Sequence, residues 1–177
     1  WRGPLATGVA PHADPPLEWS DTKNIRWKVE LRGKGHSTPV VWDDRIFLTT
    51  AISFGDPVPP PAGVRPGSHD NRQAVTGQEF TVVCINRADG KTLWQQNVAK
   101  EIPHESGHQT SSYASHSPVT DGEFVFAYFG SAGLFCLDCK TGELKWKANF
   151  GQMHSLHGHG EGNSPALSGD TLLINWD

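Results

Sequence analysis

Methionine occurs once and tyrosine twice in this chain, and no apolar stripe at i, i+3, i+4, i+7 runs for any useful length. A helical architecture needs such stripes to bury one face of each helix, so their scarcity argues for an all-β protein. No basic run exceeds a residue or two, and 15 Lys and Arg stand against 19 Asp and Glu. Phosphate affinity requires clustered cations, so the chain is not expected to bind nucleic acid. Nothing approaches the ~20 apolar residues of a membrane-spanning helix. Three cysteines do not make a disulfide framework. A Gly-rich phosphate loop, a Ser-His-Asp arrangement and a paired-carboxylate site are all absent. The chain also opens on Trp1-Arg2-Gly3-Pro4, with no Met and no visible signal peptide, which is expected of a fragment.

Aromatic and turn-forming residues are abundant: seven Trp, eight Phe, 19 Gly and 13 Pro. They are arranged in a repeat, which outranks local signals because it dictates the architecture. The fullest copy runs Ser117-Pro118-Val119, Asp121-Gly122, Phe124 to Phe129, Leu134 to Asp138, Lys140-Thr141-Gly142 and Trp146. An earlier copy opens at Ser37-Thr38-Pro39-Val40 and closes on Cys84 to Trp94; a third begins at Ser164-Pro165 and is cut off at Asp177. Pro118 to Trp146 spans 28 residues, enough for four short strands and three turns. Pro39 to Trp94 spans 55, and the excess of 27 maps onto Phe54 to Glu79, a segment of five prolines and four glycines expected to be an excursion loop.

Within a copy, Ser-Pro-Val starts an inner strand where a proline is tolerable at the first residue. Asp121-Gly122 is a hairpin signal of the type I′ kind, and the run Phe124 to Phe129 is apolar throughout, as in a strand buried on both faces. Leu144 and Trp146 face one way and Lys145 and Lys147 the other, so the Trp can cap its own unit and pack on the next. Ile25 to Leu31 also alternates and reads as an outermost strand, with Trp27 placed like the closing Trp of a repeat. Four strands per unit, repeating every 47 to 52 residues here, is the signature of a β-propeller blade. A β-sandwich of short strands gives similar turn spacing but does not repeat an Asp-x-x-Thr-Gly-x-x-x-Trp phrase.

The expected organisation is an irregular segment over 1–24 and a partial propeller of four-stranded antiparallel blades over 25–177. Its parts are a blade at 37–99 carrying the 54–79 insertion, a blade at 117–149 and a truncated blade at 164–177. Laying Gly90 on Gly142 puts Cys84 over Cys136. The Cys136-x-x-Cys139 pair is then expected to be a packing feature rather than a redox or metal motif.

Seven of the nine histidines precede the Ser-Pro starts: His36; His104, His108 and His116; His154, His157 and His159. Such segments link the outer strand of one blade to the inner strand of the next and gather on one face around the central channel. His36 precedes Ser37, His116 precedes Ser117, and Asn163 takes the same place before Ser164. Imidazoles from successive blades could bind a transition metal, with His154, His157 and His159 as the first choice, or they could simply hydrogen-bond neighbouring backbone at a crowded hub. His36, His116, Glu161 and Asn163 are the candidate ligand-binding residues.

At CLDCKTGELKW (Cys136 to Trp146) and CINRADGKTLW (Cys84 to Trp94) the chain resembles the pyrroloquinoline-quinone-type (PQQ-like) β-propeller repeat family, over residues 25–177 outside the insertion. The resemblance implies rings of about seven or eight blades. It implies one of two roles, because fold does not carry function with it. One is a non-enzymatic scaffold of the periplasm or cell exterior, without a cofactor, that binds a protein partner or small ligand at its channel face. The outer-membrane assembly lipoprotein is of that kind. The alternative is a quinone-dependent dehydrogenase holding PQQ and calcium, for which Glu161, Asn163, Trp176 and Asp177 are the candidate residues. The vicinal cysteines of alcohol-oxidising members are absent, which favours the scaffold. A metal-binding propeller using the His-rich loops is a further alternative.

Overall fold

A computed structural model describes residues 7–60 and 70–176. Ten strands fall into three antiparallel sheets. The first blade holds β1 (Val40–Trp42), β2 (Arg45–Val58), β3 (Val75–Asn86) and β4 (Thr92–Glu101), in that spatial order. The second holds β5 (Val119–Thr120), β6 (Phe124–Tyr128), β7 (Leu134–Asp138) and β8 (Leu144–Ala148). A hairpin of β9 (Ala166–Ser168) and β10 (Thr171–Leu173) begins a third. Among the described residues there is no α-helix, only a 3-10 turn at Gly130–Ala132. The molecule is all-β and carries a partial β-propeller.

Register equates the copies residue by residue. Val40 pairs with Phe47, Val119 with Phe126 and Ala166 with Leu173. Both complete blades even share one bulge, between Cys84 and Ile85 in the first and between Cys136 and Leu137 in the second. The main core lies between the blades, where Phe47, Phe80, Val82 and Cys84 meet Val125, Ala127, Phe135 and Leu137. The opposite face of the first blade (Leu48, Val83, Ile85) is covered by Trp27, Val29 and Leu31. That of the second, around Tyr128 and Leu134, is covered by Leu172 and Ile174 of the third hairpin. Each of the two complete blades is thus covered on both faces, which is why β6 reads as an unbroken apolar run.

The closing phrase of the repeat is an inter-blade latch. Trp27 Nε1 donates to the Arg87 carbonyl at 3.0 Å, and Trp94 Nε1 donates to the equivalent Cys139 carbonyl, also at 3.0 Å. Each indole lies on the turn glycine of the next blade. A Cβ on Gly90 would come within 2.7 Å of the Trp27 ring, and one on Gly142 within 2.6 Å of the Trp94 ring. Both glycines hold φ near +75°, at +76° and +74°. Aspartate's place in the phrase follows as well: Asp138 Oδ1 accepts the Lys140 and Thr141 backbone N–H groups, fixing the turn under the indole. Those bonds, with the Thr141 hydroxyl, hold the Asp138 carboxyl below the usual carboxylate range.

Three expectations need correction. Ile25 to Leu31 is not a hydrogen-bonded strand, since no neighbouring strand lies beside it among the described residues. Its alternation still selects the buried face through Trp27, Val29 and Leu31. The Phe54 to Glu79 segment is not loop throughout, because β2 and β3 continue into it with Phe54 opposite Gly77 and Val58 opposite Val75. An antiparallel ladder satisfies the backbone as it leaves the blade, and the Phe54 ring lies over Gly77, where no Cβ obstructs it. Residues 61–69 lie outside the described residues. At Asp121-Gly122, only Gly122 has positive φ, and Asp121 Oδ1 accepts the Glu123 and Phe124 N–H groups, so the turn is an Asx type and not I′.

Candidate functional site

The Ser-Pro starts are stitched together across blades. The Thr38 N–H donates to Ser117 Oγ at 2.8 Å, and the Ser117 N–H to Ser164 Oγ at 2.9 Å. Thr38, Ser117 and Ser164 are therefore equivalent, and the residues before them are Ser37, His116 and Asn163. His36 is one position out of register with His116. It is exposed, and its Nδ1 lies 3.0 Å from Ser112 Oγ. Its backbone N–H donates to the Ala114 carbonyl.

At two of the true equivalents the side chain bonds backbone of its own blade, in β2 for the first and two residues past β10 for the third. Ser37 Oγ accepts the Thr49 N–H at 3.0 Å, and Asn163 Nδ2 donates to the Asn175 carbonyl at 2.7 Å. In the middle blade His116 meets Tyr128 edge to face, with ring centroids 4.9 Å apart. His116 is 2% exposed, and neither of its ring nitrogens has a hydrogen-bond partner. Burial alone pushes its pKa down to about 4, so it is neutral at pH 7.

Beside it the two connecting segments (102–118 and 149–165) and the return limb of the insertion form a braid. The Arg72 N–H donates to the Gly107 carbonyl and the His108 N–H to the His159 carbonyl. Asn71 Nδ2 donates to the His157 carbonyl at 2.8 Å. The Arg72 guanidinium lies 5.1 Å over the Tyr113 ring. A cavity of about 40 Å³, room for a few waters, opens between Arg72, Glu101, His104, Glu105, His116 and Glu161.

The braid distributes the expected site residues unevenly. Glu161 sits on the 3-10 turn, accepting the Ser131 N–H at 2.7 Å on one oxygen and the Ser131 hydroxyl on the other. Burial raises its pKa, and the two Ser131 bonds oppose that rise. The His157 and His159 rings stand 6.0 Å apart, but His159 leans on His108, 5.5 Å away, with its Nδ1 3.2 Å from Asn71 Oδ1. His154 belongs elsewhere. One donor atom each of His104, Glu105 and His154 lie within 4.8 Å of one another. Glu105 is 6% exposed and accepts the Ser155 N–H at 3.1 Å; its other oxygen is 3.8 Å from His154 Nδ1.

Sequence reasoning did not select Glu105, Asn71 or Arg72. The only signal available for Glu105 was its adjacency to His104. Asn71 and Arg72 lay inside the segment read as an excursion.

A calcium–quinone site fits these residues poorly. Calcium takes six to eight oxygens. Both Glu161 oxygens already hold Ser131, so of the described candidate ligands Asn163 Oδ1 is the one oxygen buried without a hydrogen-bond partner. The Trp176 ring packs against Phe150, tilted by 60° with centroids 5.7 Å apart, and Asp177 lies outside the described residues. Cys136-x-x-Cys139 is equally unsuited to redox work. All three thiols are buried and free, and burial raises Cys84 to about 12 and Cys136 to about 11.

A family model described as outer membrane protein assembly factor BamB matches residues 54–175. The crystal structure of BamB from Moraxella catarrhalis is similar at 18% sequence identity and a TM-score of 0.38, over 81% of this chain and 42% of that one. The chain thus spans less than half the length of that protein. No curated protein matches it. Matched over most of its length, the chain belongs to the PQQ-like repeat family that this model describes as the outer membrane protein assembly factor BamB.

Proposed function

We propose that the protein is a non-enzymatic propeller scaffold that binds a protein partner through the connecting segments of its loop face. One observation carries this reading: apolar side chains stand exposed on those segments. Ile102, Phe150 and Leu156 are 54%, 44% and 74% exposed, among polar groups already committed to one another. Exposed apolar groups on a polar, braided face are what a protein partner buries. Family membership supports a place outside the cytoplasm, in the periplasm or at the outer membrane, and a part in assembly rather than in oxidation chemistry.

The test uses the full-length protein in its own cells, with a photo-crosslinking residue at Leu156 or, as a control, at Leu93 on β4. A discrete protein adduct from Leu156 and none from Leu93 is expected. Equal adducts from both positions, or dye reduction by the purified protein given quinone and calcium, would overturn the reading.

A further inference from the structure

We propose that His104, Glu105 and His154 form a binding site for a divalent transition metal ion of the zinc class. The three residues come from the two connecting segments, 49 residues apart in sequence between Glu105 and His154. Their donor atoms nevertheless lie within 4.8 Å of one another. Two imidazoles and one carboxylate make a donor set that zinc accepts, with a fourth position left open, whereas calcium and magnesium prefer oxygen alone.

Groups behind these donors are arranged as metal ligands require. His104 Nε2 lies 2.6 Å from the Met153 carbonyl oxygen. A carbonyl only accepts, so Nε2 carries the proton there and Nδ1 keeps its lone pair. A ligating histidine is ordinarily oriented by just such a bond from its other nitrogen. Glu105 is anchored in the same way: the Ser155 N–H holds Oε1, leaving Oε2 turned toward His154 Nδ1. The His104 and His154 rings already meet edge to face at 5.5 Å.

Tetrahedral donors about 2.0–2.2 Å from zinc sit roughly 3.3–3.6 Å apart, so donors now within 4.8 Å must close by at most about 1.5 Å. His154 is the residue able to move. Its side chain is 70% exposed, and its segment contains Gly151, Gly158 and Gly160, all at positive φ. A bound ion would rivet the connection after the first blade to the connection after the second. This inference stands on the donor set and is independent of the partner proposed above.

Untagged full-length protein, stripped with chelator and titrated with zinc chloride alone, should take up one ion per chain at this site. Cobalt(II) in its place should give the visible absorption of a nitrogen- and oxygen-ligated ion. His154→Ala is decisive, because this exposed side chain can be removed without unfolding the chain; it should weaken binding at least ~10-fold. Glu105→Gln should do the same, with circular dichroism reporting whether that buried substitution folds. His157→Ala/His159→Ala should leave the affinity within about 2-fold. Absence of stoichiometric zinc in the wild type overturns the proposal. So does affinity retained in His154→Ala, or lost in the His157→Ala/His159→Ala double variant.

Discussion

The outer seam and the loop face of this molecule obey the repeat to different degrees. At the seam, two successive junctions use the same parts: an indole, a glycine at positive φ and a turn carbonyl. On the loop face, three equivalent positions carry Ser37, His116 and Asn163, and of their side chains only the serine and asparagine bond backbone of their own blade. Regularity marks what every blade must do to stack. Departure from it marks where the chain is free to do something particular.

The largest expected effect lies at the seam. Trp94→Ala removes the latch to Cys139 and the packing against Phe47, whose ring centroid is 5.9 Å away. It should cost about 4 kcal/mol, read as a lowered urea midpoint. A loss below about 1 kcal/mol would show that the seam does not hold the blades.

His116 supplies the next test, from the hub. It titrates near 6.5 when exposed and at about 4 in the fold. Between those values the unfolded chain binds the extra proton, so the contribution is intact above pH 6.5 and is lost as pH falls toward 4. The shift corresponds to about 3 kcal/mol. His116→Asn, which installs the residue of the third copy, should flatten stability between those pH values. An unchanged acid slope in that variant would assign the proton uptake to another group.

Glycine substitutions sharpen the comparison further. Gly142→Ala meets both a positive φ and the Trp94 ring and should cost about 3 kcal/mol. Gly169→Ala, at φ +54° with open space around it, should cost about 1 kcal/mol. Equal costs would remove the indole contact from the account. Smallest in energy is the cysteine test: a thiol reagent at pH 8 should leave Cys84, Cys136 and Cys139 unmodified in the native state and label all three in denaturant. Rapid native labelling of Cys136 or Cys139 would revive a redox reading.

Much of the seam was legible in the sequence because local phrases encode it. Trp, the Asp turn and Gly recur at fixed spacing, and superposing two copies turned Cys136 into a packing residue. The single-residue offset of His36 was legible but overlooked: laying Pro39 on Pro118 and Pro165 already puts Thr38, and not Ser37, over Ser117 and Ser164. The pull of the serine in Ser37-Thr38-Pro39 hid it, and the bonds from Thr38 to Ser117 and from Ser117 to Ser164 show the match directly. The extended β2–β3 hairpin was hidden because prolines and glycines mask a ladder held by backbone pairing. Glu105 was missed for a different reason. Its meaning depends on Ser155 and His154, brought to it by the stacking of blades and not by any nearby spacing.

The separation of seam from loop face is tested most directly by native-state hydrogen exchange read along the wild-type chain. The amides of β3 and β7 and of the turns at Gly90 and Gly142 should exchange only through global unfolding. Those of 150–162, held mainly by side-chain acceptors on an exposed segment, should exchange through local openings of far lower energy. Protection of 150–162 equal to that of the seam would contradict the account.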